Sequence, residues 1–300
     1  MKKAVVIDGN SLTYRMFYAT YNLAQYAVEH NFQPVNALKL MLETCFKIKN
    51  VGNYDYCLIA FDYGKKTFRH ETYQDYKAGR KSMPMELVTQ MPLVQEGLKL
   101  MGYNVMSREG IEADDLIGSF CKVMNQDEIS VDVYSSDKDM LQLVNQYTSV
   151  HLVKSGMSDV QVNTLANFAE LNYGLLPQQI PDFKGIVGDS SDNLHGVKGI
   201  GLKTGIKLLE KYQTLENIYN HLDELTAVNQ KKFMESKDCA YMCKDLATIN
   251  TNQFGDMKSN DFIFKPSDLR TLHGMVKKYK INGLEKYFNQ VEEQIDLFNF

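Results

Sequence analysis

Residues 111 to 139 concentrate carboxylates in a way that calls for a cation. Glu112, Asp114 and Asp115 stand in IEADDL, a short apolar run VDVY follows, and Asp137 and Asp139 come next in SSDKDM. Like charges crowded together repel strongly unless something neutralises them. Oxygen-only ligands unaccompanied by Cys or His select a hard divalent ion, Mg²⁺ or Mn²⁺. An acidic helix N-terminus, where the dipole favours carboxylates, would account for EADD alone. It leaves a second acidic pair just after an apolar strand unexplained.

The flanking elements explain how such a cluster could be assembled. KAVVID, residues 3 to 8, is short, apolar and β-branched, a buried strand that ends on Asp8. Gly9, Asn10 and Ser11 then make a turn and helix cap, and the helix beginning SLTYR carries Arg15. Residues 35 to 49 have helical periodicity, and a second strand, YCLIAFD at 56 to 62, again closes on an acid, Asp62. A parallel sheet gathers such residues at its carboxyl edge, where α/β proteins bind ligands.

Residues 65 to 81, KKTFRHETYQDYKAGRK, alternate Lys65, Lys66, Arg69, Lys77, Arg80 and Lys81 with Phe68, Tyr73 and Tyr76. The mixture suits phosphates and stacked bases, and equally a solvated charged helix with aromatics turned to the core. A long amphipathic helix is predicted over 82 to 101, a short strand over 103 to 107, a helix over 112 to 125, and strands over 131 to 136 and 149 to 153. The fold class is therefore α/β with a mainly parallel sheet and flanking helices.

After about residue 172 the strand signal stops. PQQIPDFKGIVGDSSDN adds Asp189 and Asp192, bringing the candidate ligands to nine. Glycines at 196, 199, 201 and 205 follow, with Lys198, Lys203 and Lys207 among them. They can turn backbone amides toward a phosphate at a helix N-terminus. The pattern hxxhxGhGxxTxxxLL is a helix-hairpin-helix signature. Residues 214 to 291 read as further helices.

Composition narrows the class. With 44% hydrophobic and 23% charged residues, the chain is an ordinary globular protein. The apolar run after MKK is four residues long and ends at Asp8, so it reads as a strand and not a targeting segment. No apolar run approaches a membrane span. Five cysteines form no CxxC pair, none of the six histidines has ligand spacing, and a reduced, cytoplasmic compartment is expected. The formal charge of −4 becomes +5 once the nine candidate ligands are set aside, a mildly basic surface compatible with a phosphate-bearing ligand.

VIDGNSLTYR, FDYGKKTFRHETYQDYKAGR, EGIEADD, SSDKDM, GDSSDN and GVKGIGLKT stand in the order and spacing of the bacterial and phage 5′ to 3′ exonucleases. Over residues 3 to 290 the chain resembles the 5′ nuclease domain of DNA polymerase I and the related flap endonucleases. With no polymerase sequence following, a free-standing 5′ nuclease is expected. The resemblance implies cleavage of branched DNA where single strand meets duplex, in primer removal and repair.

It further implies divalent-metal ligands at Asp8, Asp62, Glu112, Asp114, Asp115, Asp137, Asp139, Asp189 and Asp192, and basic helpers at Arg15, Lys77 and Arg80. Tyr76 and the hairpin residues Lys198, Gly199, Gly201, Lys203 and Thr204 would contact DNA. The carbonyls of Gly196, Val197 and Ile200 would hold a monovalent cation, K⁺. A helical gateway over 77 to 106 would pass the 5′ strand, within a nuclease core of 1 to 172 followed by a DNA-binding region of 173 to 291. A monomer is expected. In the tail, 292 to 300, Gln294, Ile295, Asp296, Leu297 and Phe298 resemble the peptide by which bacterial replication proteins bind the sliding clamp. The other reading of that peptide is a final helix packed on the domain.

Overall fold

The computed structural model describes residues 2–154 and 159–288. Its strands are β1 (Lys3–Asp8), β2 (Tyr56–Ala60), β3 (Tyr63–Thr67), β4 (Val105–Met106), β5 (Glu109–Gly110), β6 (Ser130–Ser135), β7 (Thr148–Val153) and β8 (Val160–Asn163). The helices of the first half are α1 (Gly9–Ala19), α2 (Tyr21–Glu29), α3 (Asn36–Gly52), α4 (Phe68–Thr72), α5 (Met85–Val88), α6 (Met91–Leu100), α7 (Ala113–Gln126) and α8 (Phe168–Leu171). Those of the second half are α9 (Ile180–Val187), α10 (Leu202–Tyr212), α11 (Leu215–Asn220), α12 (Ala227–Glu235), α13 (Lys237–Ala247) and α14 (Leu269–Lys278).

Six strands form one sheet in the order β4-β2-β1-β6-β7-β8, parallel except for β7 with β8. β1 lies at the centre because both of its faces are covered. Ala4 and Val6 pack beneath α7 with Leu116, Ile117 and Phe120, whereas Val5 and Ile7 face α1, α3 and α6 through Leu12, Leu42 and Leu98. That double burial is why KAVVID reads as a continuous apolar run.

The chain leaves β1 toward β2 and β4 on one side, then returns to lay β6 on the other. The strand order reverses between β1 and β6, which opens a crevice at their carboxyl ends. β2 pairs with β1 so that Ala60 stands opposite Asp8, and β6 pairs so that Tyr134 stands opposite Ile7. Asp8, Asp62 and Asp137 therefore leave adjoining strands at one edge.

The helix predicted over 82 to 101 is two helices, α5 and α6. Pro92, with no N–H to donate, sits in the first turn of α6, a position tolerated only at a helix start. α6 packs on α3, where Gly97 lies so close to Leu42 that an added Cβ would come within 2.8 Å of its Cδ2. The surface helix α2, the small β3–β5 pair and the antiparallel β8 were not anticipated. α9 to α13 share a separate core around Ile186, Leu209, Leu215 and Phe233. Gly185 lets α9 meet α13 closely, since a Cβ there would stand 2.8 Å from the Ala240 carbonyl oxygen.

Candidate active site

Each expected carboxylate is delivered by the end of an element. Asp8 ends β1 and caps α1, accepting the Ser11 N–H at 2.9 Å through Oδ1 and the Ser135 hydroxyl at 2.6 Å through Oδ2. Asp62, two residues beyond β2, accepts the Ala113 N–H at 2.8 Å at the start of α7. Glu112 precedes α7 and takes the Thr67 hydroxyl at 2.8 Å, while Asp114 stands in the helix's first turn. Asp137 caps the turn after β6 by accepting the Asp139 N–H at 2.9 Å. Asp189 and Asp192 occupy the loop after α9.

Basic side chains thread between them. Lys77 donates to Glu112 Oε2 at 2.9 Å, Arg80 pairs with Asp192, and Lys184 lies between Asp139 and Asp189. The Tyr76 hydroxyl reaches Asp192 Oδ2 at 3.1 Å and Glu112 Oε2 at 3.4 Å.

The electrostatics divide the set. Burial pushes Asp8 up to about 7, helped by Asp137 and Asp62 against the pull of its hydrogen bonds. Burial, then Asp137 and Asp8, holds Asp114 well above the usual carboxylate range, and burial, with like charges adding to it, raises Asp62 and Asp137 as well. Burial also disfavours charge on Glu112 and Asp189. Lys77 and Arg69 outweigh it at Glu112, and Lys184 draws Asp189 down to about 2. The four acids that bind protons more tightly than usual are those with no cationic group in direct contact among the described residues.

Their donor chemistry fits a hard divalent cation: oxygen only, running from buried Asp8 to exposed Asp62, and short of positive charge. In the side-chain arrangement present, no three acidic, His or Cys groups among the described residues converge tightly enough to grip one ion.

Four of the residues singled out in the sequence have other contacts in this structure. Asp115 is fully buried, and both its oxygens are bound, to Arg69 Nη1 and Nη2 at 2.8 Å and to the Asn250 N–H at 2.9 Å. As placed, it braces the fold, with Oδ1 accepting two hydrogen bonds and Oδ2 one. Arg69, expected among the phosphate-binding residues, is 2% exposed and also donates to the carbonyls of Leu246 and Thr248. Tyr76 is 3% exposed, so its ring is not presented for stacking. Arg15 donates to the Lys154 carbonyl and touches none of the carboxylates.

Lys184, Thr67 and Ser135 were missed. Lys184 lies five residues before Asp189 in PDFKGIVGD, and a basic residue at that distance from an acidic loop was the available signal.

The hairpin is a separate structure beside α9 and α10. Gly196 and Gly199 adopt φ of +61° and +80°, and a Cβ on Gly196 would meet the Gly188 nitrogen at 2.4 Å. Val197 and Ile200 are buried, with the Ile200 N–H on the Val197 carbonyl at 3.0 Å. Lys198, Gly201 and Lys203 are exposed, Gly201 preceding α10 and accepting the Thr204 N–H at 3.1 Å. Lys232 donates to the Gly199 carbonyl at 2.9 Å.

An acidic crevice at the switch point of a parallel sheet, followed by a helical hairpin region, defines a class. The 5′-3′ exonuclease N-terminal resolvase-like domain matches residues 3–171, and the 5′-3′ exonuclease C-terminal SAM fold matches residues 175–270. The chain belongs to the 5′-3′ exonuclease family, a family of nucleases. It is 43% identical to the 5′-3′ exonuclease of Mycoplasma pneumoniae over 295 residues, covering 97% of this chain and 100% of that protein. It is 42% identical to Bacillus subtilis DNA polymerase I over 252 residues, 84% of this chain and 28% of the polymerase. The fold resembles that of bacteriophage T5 flap endonuclease, solved as a pseudo-enzyme–product complex with DNA and metal ions. The TM-score is 0.71 at 17% identity, covering 93% of this chain and 100% of that one.

Proposed function

We propose that this 5′-3′ exonuclease hydrolyses DNA phosphodiester bonds at 5′ ends and at 5′ flaps in primer removal and repair, and depends on divalent metal. The observation that carries the reading is the gathering of carboxylates from β1, β2, α7 and β6 at the β1–β6 crevice in a chain of this family. Asp8, Asp62, Glu112, Asp114, Asp137, Asp139, Asp189 and Asp192 would hold two Mg²⁺ or Mn²⁺ ions, with Asp115 bracing behind them. Such ions lower the pKa of a bound water and stabilise the leaving oxygen of an in-line displacement.

The chain's own residues do the rest. Lys77 and Arg80, half-buried and exposed at the rim of the crevice, place positive charge beside the scissile phosphate as its charge redistributes. Tyr76 orients Glu112 and Asp192 through its hydroxyl. Arg15, Lys198, Gly199, Gly201, Lys203 and Thr204 grip phosphates away from the reaction, so that structure is selected over sequence. The carbonyls of Gly196, Val197 and Ile200 would take K⁺ beside the Gly199 carbonyl that Lys232 already satisfies.

Residues 1–172 form the nuclease core and 173–291 the DNA-binding region in this reading. The peptide Gln294–Phe298 lies outside the described residues and would tether the enzyme to a sliding clamp, raising local concentration without new DNA contacts. A monomer working in the cytoplasm suits these roles, and among the described residues no helix is long and apolar enough to cross a membrane.

A 5′-flap duplex incubated with the protein in Mg²⁺, with and without EDTA, tests the reading. Metal-dependent release of the flap with a 5′ phosphate on the product is expected. Undiminished cleavage in EDTA, or none in Mg²⁺ or Mn²⁺, would overturn it.

A further inference from the structure

We propose that Ser135 is a positioning residue that sets the spacing of Asp8 and Asp137 for the divalent ion; the inference rests on the metal-dependent reading above. Ser135 ends β6 and is 0% exposed. Its hydroxyl donates to Asp8 Oδ2 at 2.6 Å and accepts the Asp137 N–H at 2.9 Å. A hydroxyl has a single proton to give, and here it goes to Asp8, leaving a lone pair for Asp137. One buried oxygen thus joins a carboxylate on β1 to the backbone of a carboxylate after β6.

The link lies at the point where strand order reverses, so the two acids arrive from strands whose connections run in opposite directions. Mutual repulsion would drive their side chains apart. A second link runs parallel to the first. The Ser11 N–H holds Asp8 Oδ1 at 2.9 Å, and the Ser11 hydroxyl oxygen accepts the Ser136 N–H at 3.1 Å. Ser135 and Ser136 therefore each reach across to the β1–α1 turn, and every residue of Ser135-Ser136-Asp137 takes part in fixing the crevice.

Both donors to Asp8 among the described residues are neutral. They fix its oxygens without supplying the positive charge that a salt bridge would, which keeps the carboxylate available to a cation. Groups that orient metal-ligating side chains from behind are worth 10- to 100-fold in metal affinity or activity, roughly.

Calorimetric titration of Mg²⁺ or Mn²⁺ into the full chain without DNA, comparing wild type, Ser135→Ala and Ser135→Thr, tests the proposal. Alanine removes only the hydroxyl oxygen, and its fold is checked by circular dichroism at the titration temperature. Ser135→Ala should weaken divalent binding by about 10- to 100-fold, with metal-free binding of a 5′-flap duplex unchanged. Ser135→Thr, which keeps the hydroxyl, should bind the ion more tightly than Ser135→Ala. Wild-type affinity in Ser135→Ala, whatever its melting temperature, would show that the hydroxyl only completes the end of a strand and would overturn the proposal. Failure of wild type itself to bind either ion would instead defeat the metal-dependent reading.

Discussion

The pairing of Arg69 with Asp115 gives the sharpest division between bracing and ligation. Arg69 on α4 grips Asp115 on α7 through two hydrogen bonds of 2.8 Å and reaches the carbonyls of Leu246 and Thr248 at the end of α13. Burial weakens the tendency of Arg69 to hold its proton, but Asp115 and Glu112 more than reverse this. Asp115→Asn would keep the shape and leave the guanidinium with Glu112 at 3.5 Å as its nearest remaining acid. Removing one partner of a buried pair costs about 3–5 kcal/mol. At about 2–4 °C per kcal/mol for a large domain, the melting temperature should fall by roughly 6–20 °C. Arg69→Met should fall by a similar amount, and Arg69→Met with Asp115→Leu should recover much of the loss, because replacing both charges with apolar groups is often neutral. Scanning calorimetry without divalent ion, paired with Mg²⁺ titration at a temperature where the variants are folded, separates the roles. An Asp115→Asn variant with an unchanged melting temperature and lost Mg²⁺ affinity would refute the brace and restore Asp115 as a ligand.

Three further outcomes follow from the same geometry. Lys77→Ala should lower kcat far more than it raises KM, whereas Lys203→Ala should weaken duplex binding and reduce its salt slope by about one unit; identical kinetic signatures would remove the distinction between crevice and hairpin. Gly196→Ala should unfold the hairpin, because its Cβ would stand 2.4 Å from the Gly188 nitrogen at a φ of +61°, while Gly201→Ala, with nothing within 4 Å, should keep its melting temperature and lose duplex affinity. Equal thermal stability of the two variants would contradict the close approach. Asp189 is held at about 2, below the usual 3.8, so its contribution to stability is present above pH 3.8 and is lost as pH falls toward 2. Urea midpoints of wild type and Lys184→Met, measured without divalent ion, should therefore differ more at pH 6 than at pH 3. A gap independent of pH would mean that Lys184 acts through packing alone.

The strands that end in acids were legible because their signal is local. KAVVID and YCLIAFD are apolar along their whole length, as strands buried on both faces must be, and each runs into an Asp. The motif series from VIDGN to GVKGIGLKT likewise pointed to the family, since residue type and order survive without knowledge of contacts. Sequence could not tell which acids face the crevice. Asp114 and Asp115 are adjacent, but successive helical residues project about 100° apart. That rotation turns Asp115 into the core against Arg69 and leaves Asp114 toward Asp8 and Asp137. Arg69 looked like a surface group because its neighbours are charged, and Tyr76 fitted base stacking and core packing equally; the chain around 246 to 250 that covers Arg69, and the Asp192 that meets Tyr76, lie more than a hundred residues away. Lys184 and Ser135 acquire their roles only when α9 and β6 are set beside the other carboxylates, a juxtaposition created by the reversal of strand order and the docking of the helical region.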